Sequence, residues 1–547
     1  MQANKKPKPS PVAIWLPLML SIALAAGIYI GMRLSGPATP DDASPNHKIE
    51  ALIRYIEAKY VDEVDRHKLV DEAITAVLRQ LDPHSSYISP EELSKIKEQM
   101  AGEFMGIGVE FLLLGDTVVV VSVAGDSPAK KAGILAGDKI IAVEDSLVSG
   151  KGLNSDDIIR RLRDENKSKV RIAILRYPGK SPKTLTLERR RIPIKSVDAA
   201  YWLNDRVAYI RINRFSATTD KEFLAALERL SARNRQIHLI LDLRHNPGGY
   251  LQQASNILSQ IFPERGVLMV YTEGRTVHRS DYHSSGRAFF DIGKIAVLID
   301  EGSASASEII AGAVQDHDRG LVIGRRSYGK GLVQEQYALG DGSAVRLTVA
   351  RYFTPSGRSI QRPYKKNGQV ITKTTGPAEV SGPAVAAGTG NGPDSTVYFT
   401  DAGRVVYSGG GILPDITIPA DSIGQLPIMQ EVRNKLPVFS LSSYGEAKKR
   451  FEGERTLYFR QYTIGDSTVA AFKQYLTSTA PGFSPLEWQA VKSRLPYLIK
   501  AHVARNLFGP EAYFQVINQH DPTVQKALQH LFTPKKKPFR AGGLTPG

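Results

Sequence analysis

The sequence predicts a chain of several units around an α/β core with a largely parallel sheet, and three observations predict it. Between residues 194 and 419, short apolar β-rich runs alternate with helix-period segments, the pattern of a sheet covered by crossover helices. Between 106 and 193 the runs are β-rich with only two helical pieces, and on either side of these regions the apolar positions fall at helical spacing. At 547 residues the chain is several times the usual domain size, so more than one hydrophobic core is expected.

The elements follow in order. A lysine-rich start over 1–11 precedes 21 uncharged residues, 12–32, enough for a helix across a hydrocarbon core of roughly 30 Å. The basic flank keeps the N-terminus cytoplasmic. The expectation is an uncleaved single-pass anchor in a bacterial inner membrane with the rest of the chain periplasmic. The alternative is a periplasmic protein released by signal cleavage, although the apolar run exceeds the usual 7 to 15 residues of a signal core. A Pro/Asp/Ser linker spans 33–45. The unit expected over 46–105 is helical, with apolar Ile49, Leu52, Ile53, Ile56, Leu69, Ile74, Val77, Leu78 and Leu81 at helix period and a second helix start at Ser89-Pro90-Glu91-Glu92.

The unit over 106–193 carries β-rich runs at 118–123, 139–143 and 170–175, with helix caps at Ser127-Pro128 and Ser155-Asp156-Asp157. Its Ser-Pro-Ala-Lys-Lys-Ala-Gly-Ile-Leu-Ala-Gly-Asp segment, 127–138, resembles the helix and turn of a PDZ domain, and Gly106, Ile107, Gly108 and Val109 resemble the loop with which such domains receive a chain terminus. That resemblance implies that the glycines free backbone N–H groups for a carboxylate and that the strand beginning at Val109 adds a peptide to its edge.

In the core, 194–419, strands are expected at 207–212, 237–241 and 295–299 and helices at 220–230 and 251–261; a Gly/Pro/Ala/Thr-rich stretch, 376–395, reads as a flexible surface insertion. The strand 295–299 runs into Asp300-Glu301-Gly302-Ser303-Ala304-Ser305-Ala306-Ser307-Glu308 and then a helix. A serine at a helix N-terminus meets free amides and the positive end of the helix dipole, which suits a nucleophile whose attack creates an oxyanion. Small residues there also serve as ordinary caps, with Glu308 completing a capping box. The second candidate, Gly324-Arg325-Arg326-Ser327-Tyr328-Gly329-Lys330-Gly331, imitates a phosphate loop, but a nucleotide site needs Ser or Thr after the lysine, and Gly331 stands there. A lysine held between two glycines remains.

Together these residues resemble the C-terminal processing peptidases, also called tail-specific proteases. The resemblance rests on GSASASEI (302–309) and YGKGLVQ (328–334), and extends to Leu81-Asp82-Pro83-His84-Ser85-Ser86-Tyr87, the PDZ-like segment, DLRHNPGG (242–249) and VARYFTP (349–355), so that it covers 46–419. It implies a crotonase-like (ClpP-like) α/β core and a serine endopeptidase with a Ser/Lys dyad. It implies that Ser305 is the nucleophile, Lys330, 25 positions later, the base, and Gln334 the residue that orients the lysine. It also implies oxyanion donors at Ala306 and at one of Gly248 and Gly249. The partners implied are protein or peptide substrates with accessible C-termini. The rival of another class is an inactive periplasmic scaffold whose PDZ unit binds C-termini.

A lysine base must be brought down from about 10.4 by roughly three pH units, about 4 kcal/mol against its charged form, and burial beside the sheet, away from carboxylates, would supply that. Lys330 and Gln334 are expected to meet through a helical turn, because an extended chain would hold them about 13 Å apart.

Composition excludes other classes. The net charge is +16, but the basic residues are scattered and no nucleic-acid module accompanies them, so no nucleic acid is expected. The chain has no cysteine, which rules out disulfides, thiol nucleophiles and thiolate metal sites; with no HExxH spacing either, no metal or cofactor is expected. His245, His283 and His317 read as structural or surface residues. The helical extension over 420–532 is open to homo-oligomerisation or to binding an adaptor, and the basic tail 533–547 reads as disordered.

Overall fold

The computed structural model describes residues 11–34, 45–164, 167–176, 179, 181–366, 369–371, 396–480 and 482–532. The expectations for the N-terminal ten residues, most of the 33–45 linker, the 376–395 insertion and the 533–547 tail lie outside them. The chain divides into two compact units, Met1–Leu81 and Asp82–Gly547.

The first unit consists of helices Pro11–Leu34, Pro45–Lys59 and Arg66–Arg79. Asp65 caps the third by accepting the amides of His67 and Lys68. Of the expected apolar face, Leu78 is buried, whereas Ile49, Leu52, Val77 and Leu81 are exposed. Among the described residues no helix is long and apolar enough to cross a membrane, so the anchor expected over 12–32 is not supported. Among the described side chains of Pro11–Leu34, Leu18, Ile22, Leu24 and Ile28 are exposed.

In the second unit, Ser89 caps the helix Pro90–Ala101 through a reciprocal bond pair with Glu92, and Leu93 packs with Ile88 and Ala344. Strands Val109–Leu114, Thr117–Val123, Lys139–Val143, Lys169–Leu175 and Lys183–Glu188 form an antiparallel sheet in that order. Its buried side chains, among them Val118, Val120, Ile140 and Ile172, close over the helix Ser155–Arg163 through Ile158 and Leu162. Val109–Leu114 lies at one end of the strand order.

The central sheet has the order Val197–Trp202, Val207–Ile212, Gln236–Asp242, Asp291–Ile299, Leu321–Gly324, Ile416–Thr417, and every pair except the first is parallel. Both faces are covered, as the continuous apolar strands require. Ile237, Leu239 and Leu241 face the helices Thr219–Ser231, Leu251–Ile261 and Ala306–Asp316. Alternate residues, Tyr209, Ile240, Ala296 and Leu298, face Val524, Ala527 and Leu531 of the last helix, Pro522–Phe532. A second sheet, antiparallel and absent from the sequence expectation, joins Ser86–Ile88, Ala344–Phe353, Arg265–Glu273 and Ser280–Ser285, with Leu332–Ala338 also paired to Ala344–Phe353. From Pro427 onward the chain is helical around its own core, which includes Met429, Leu436, Phe451, Tyr458, Phe472 and Ile499.

Candidate active site

The parallel strands Gln236–Asp242 and Asp291–Ile299 run side by side, with Asp242 opposite Leu298, and the loops that follow them meet. Buried Asp300 accepts the amides of His245 and Gly302 at 2.8 and 3.0 Å, and Ser303 donates to the carbonyl of Leu243 at 2.8 Å. This lacing holds Ser305 at the start of helix Ala306–Asp316 with φ 54° and ψ −115°, a conformation that non-glycine residues occupy only when the surroundings impose it. The Glu308 amide donates to the Ser305 carbonyl at 2.8 Å. The cap is made by Glu308, whose Oε2 accepts the Ser305 amide at 2.8 Å.

Gly248 and Gly249 have φ of 98° and 146°. A Cβ on Gly248 would stand 2.8 Å from Ser305 Cβ and 3.0 Å from the Ala306 nitrogen, and one on Gly249 would overlap the Phe215 carbonyl, so both positions require glycine. The Gly248 amide donates to Asn246 Oδ1 at 2.9 Å. Among the described residues nothing accepts from the amides of Gly249 or Ala306.

Lys330 is half-buried and its Nζ donates to Gln334 Oε1 at 2.6 Å. They meet without the expected helical turn: Gln334 lies on the strand Leu332–Ala338, whose pairing with Ala344–Phe353 is irregular between Val333 and Gln334, and Lys330 lies just before that strand. Gln334 Nε2 in turn donates to the His84 carbonyl at 2.6 Å. Among the described residues no hydrogen bond joins the Ser305 hydroxyl to the Lys330 amine.

Burial lowers the pKa of Lys330, helped by the charge of Arg346, while Glu308 and Asp82 oppose the shift. The expectation that the lysine sits away from carboxylates is therefore corrected. Glu308 is wholly buried and joins the two loops. Its Oε2 accepts both the Ser305 amide at 2.8 Å and the Lys330 amide at 2.9 Å; its Oε1 accepts the Ser327 hydroxyl at 2.5 Å and the Gly329 amide at 2.8 Å. Burial pushes its carboxyl up to about 7 against the pull of these donors. Tyr352 supplies a second tie: its hydroxyl donates to the Lys330 carbonyl at 2.6 Å and lies 3.1 Å from the Ser305 carbonyl. Neither residue was assigned a site role from sequence, although Glu308 and Tyr352 fall inside the SASASE and ARYFTP motifs.

Of the histidines read as structural, His245 pairs with Asp300 at 3.1 Å, and His317 lies between Asp401 Oδ2 and the Leu268 carbonyl, 2.7 Å from each. His84, not considered from sequence, has a lowered pKa because it is partly buried and close to Lys330.

The PDZ-like groove has a volume of about 230 Å³, lined by Phe104, Gly106, Ile107, Gly108, Val109, Phe111, Ile159, Leu162 and Arg163, among others. Gly108 adopts φ 79°, and a Cβ there would overlap Ser127. Gly106 ends the strand Glu103–Gly106, opposite Arg190, and the Ile107 side chain is buried in the core of that unit.

Residues 206–370 match Peptidase family S41, and residues 105–188 match a PDZ domain. A carboxy-terminal-processing protease of Bartonella bacilliformis is 38% identical over 312 residues, which cover 56% of this chain and 70% of that protein. Carboxy-terminal processing protease CtpB of Bacillus subtilis is 33% identical, with 62% and 72% covered. Among solved structures, a photosystem II D1 C-terminal processing protease matches at 31% identity and a TM-score of 0.33, covering 58% of this chain and 85% of that one.

Proposed function

The chain belongs to the carboxy-terminal-processing proteases of peptidase family S41 and is a serine peptidase with a PDZ domain; on that premise we propose that Ser305, Lys330 and Gln334 are its catalytic residues. One observation carries the reading: Glu308 Oε2 accepts both the Ser305 and the Lys330 amide while the Lys330 amine donates to neutral Gln334. Nucleophile loop and base loop thus hang on one oxygen atom, and the amine is bonded to a partner that adds no charge.

Neutral Lys330 takes the hydroxyl proton of Ser305, whose oxygen adds to the scissile carbonyl. The resulting oxyanion is bound by the amides of Ala306 and Gly249, which are unspent, whereas the Gly248 amide is engaged by Asn246. Protonated Lys330 then gives its proton to the leaving amine as the C–N bond breaks, leaving an acyl ester on Ser305. Water attacks the ester with Lys330 again as the base, restoring the serine and releasing the acid. Gln334 accepts one N–H of the amine and so keeps its lone pair turned to the serine.

Substrates would present their C-termini to the groove at Gly106–Val109, with Val109–Leu114 supplying the edge for an added strand. Within this reading the core is of the crotonase-like (ClpP-like) type. The exposed apolar side chains of Pro11–Leu34 support attachment to a membrane of the cell envelope, which carbonate extraction of membranes from expressing cells would test. The catalytic reading predicts that Ser305→Ala and Lys330→Ala each abolish peptide cleavage, with thermal unfolding unchanged. Near-normal turnover in Lys330→Ala would refute it.

A further inference from the structure

The turn Asp82-Pro83-His84-Ser85 takes no part in the steps above, yet it reaches the base. Asp82 is buried; its Oδ1 accepts the amides of His84 and Ser85, each at 2.7 Å, and its Oδ2 accepts the Ser85 hydroxyl at 2.7 Å. Bonds from a side-chain carboxylate to amides two and three residues on close a turn and fix the peptide planes within it. The plane so fixed presents the His84 carbonyl, which accepts Gln334 Nε2 at 2.6 Å.

A side-chain amide has one donating and one accepting end. With the nitrogen committed to His84, only the oxygen is left for Lys330, and it accepts Nζ at 2.6 Å. The turn is also tied to the strand beside Gln334. Ser86 lies opposite Arg346 on Ala344–Phe353, Gln334 lies opposite Thr348 on the same strand, and the Ser85 hydroxyl accepts the Thr348 amide at 3.3 Å.

We infer that Asp82 is a positioning residue for the general base: its turn holds the His84 carbonyl, the carbonyl holds Gln334, and Gln334 sets the direction of the Lys330 amine. The inference rests on the Ser305/Lys330 reading above and adds a part for a segment that the mechanism leaves unused. Asp82 touches neither the amine nor the nucleophile through any bond described, so its positioning effect passes through Gln334. Its charge acts directly as well, since a carboxylate near Lys330 favours the protonated amine.

The test uses the full chain and an internally quenched peptide with a free apolar C-terminus. Asp82→Ala removes every acceptor in the turn and lowers kcat about ten-fold or more with KM within about two-fold, because orientation of the base matters in the transition state and not in binding. Asp82→Asn keeps an oxygen for the two amides. It restores kcat to within about three-fold of wild type and moves the rising limb of the pH–kcat profile to lower pH, because the charge that favours the protonated amine is gone. In a Gln334→Ala background Asp82→Ala costs nothing further, as expected of residues that act as one unit.

Wild-type kcat in Asp82→Ala, or losses that simply add to those of Gln334→Ala, would overturn the inference. If Asp82→Ala does not fold, Asp82→Asn decides, and an unmoved pH limb counts against it. Near-normal turnover in Lys330→Ala would instead sink the underlying catalytic reading and leave the Asp82 result as the distinguishing evidence.

Discussion

Replacing Glu308 by Gln tests the carboxylate that ties the Ser305 loop to the Lys330 loop. In the folded chain burial raises this carboxyl from the usual 4.5 to about 7. Between those values the folded state keeps a proton that the unfolded state has released, so stability is full below 4.5 and is lost as pH rises to 7. At about 1.4 kcal/mol per pH unit the loss is roughly 3 kcal/mol. Glutamine cannot ionise, so its variant lacks this slope.

At the acid end the variant is the weaker protein. Its amide oxygen can serve the Ser305 and Lys330 amides, and its nitrogen can donate to the Ser327 hydroxyl, but the Gly329 amide, which bonds Oε1 in the wild type, is left without an acceptor at a cost of about 1–3 kcal/mol. The gap should therefore close or invert between pH 4.5 and pH 8, by roughly 3 kcal/mol in the variant's favour. Amide hydrogen exchange of the helix Ala306–Asp316, corrected for the intrinsic rate at each pH, reads this locally in a chain of several units. A gap that stays constant within ~1 kcal/mol would show that the donors outweigh burial, and that the carboxylate is ionised across the range at no cost.

Further expectations follow from the same geometry. Cleavage should rise with pH through an amine pKa below the usual lysine value, because burial and Arg346 disfavour the charged form of Lys330; a flat pH–kcat profile from pH 6 to 10 would count against a lysine base. In Gly248→Ala the new methyl would press on the Ala304 carbonyl and on Ser305 at φ 98°, so kcat should fall about a hundred-fold, the scale of a lost oxyanion contact; single-turnover acylation measures it, and unaltered acylation would refute the placement of that turn. Tyr352→Phe leaves the Lys330 carbonyl without the hydroxyl that donates to it at 2.6 Å and should cost about 1–3 kcal/mol, read as a lower urea midpoint; an unchanged midpoint would mean that the tie is not stabilising.

How far the site could be read from residues alone varies from piece to piece. Ser305 and Lys330 stood out as candidates because each sits in a locally odd segment, small residues before a helix and a lysine between two glycines, and only the resemblance to the C-terminal processing peptidases gave them roles. The meeting of Lys330 with Gln334 was legible as a pair and illegible as a geometry. Spacing suggested a helical turn, but Gln334 lies on the strand Leu332–Ala338, and that strand forms only by pairing with Ala344–Phe353, whose place beside it no local spacing reveals. Distance in sequence likewise hid the antiparallel sheet, whose members run from Ser86 to Phe353.

What the amino-acid order determined by itself was local: the caps at Ser89 and Asp65, the two-residue alternation that lets the central strands face helices on both sides, and the turn that Asp82 closes. Tertiary structure alone decided what those pieces are for. Glu308 reads in sequence as the second half of a cap, and it becomes the link between the Ser305 and Lys330 loops only because the loop carrying Ser327, Gly329 and Lys330 folds onto it, out of water, where one carboxylate must satisfy four donors. Caps, alternation and turns arise from neighbours along the chain, whereas burial and the charges that meet inside it depend on which distant segments exclude water together.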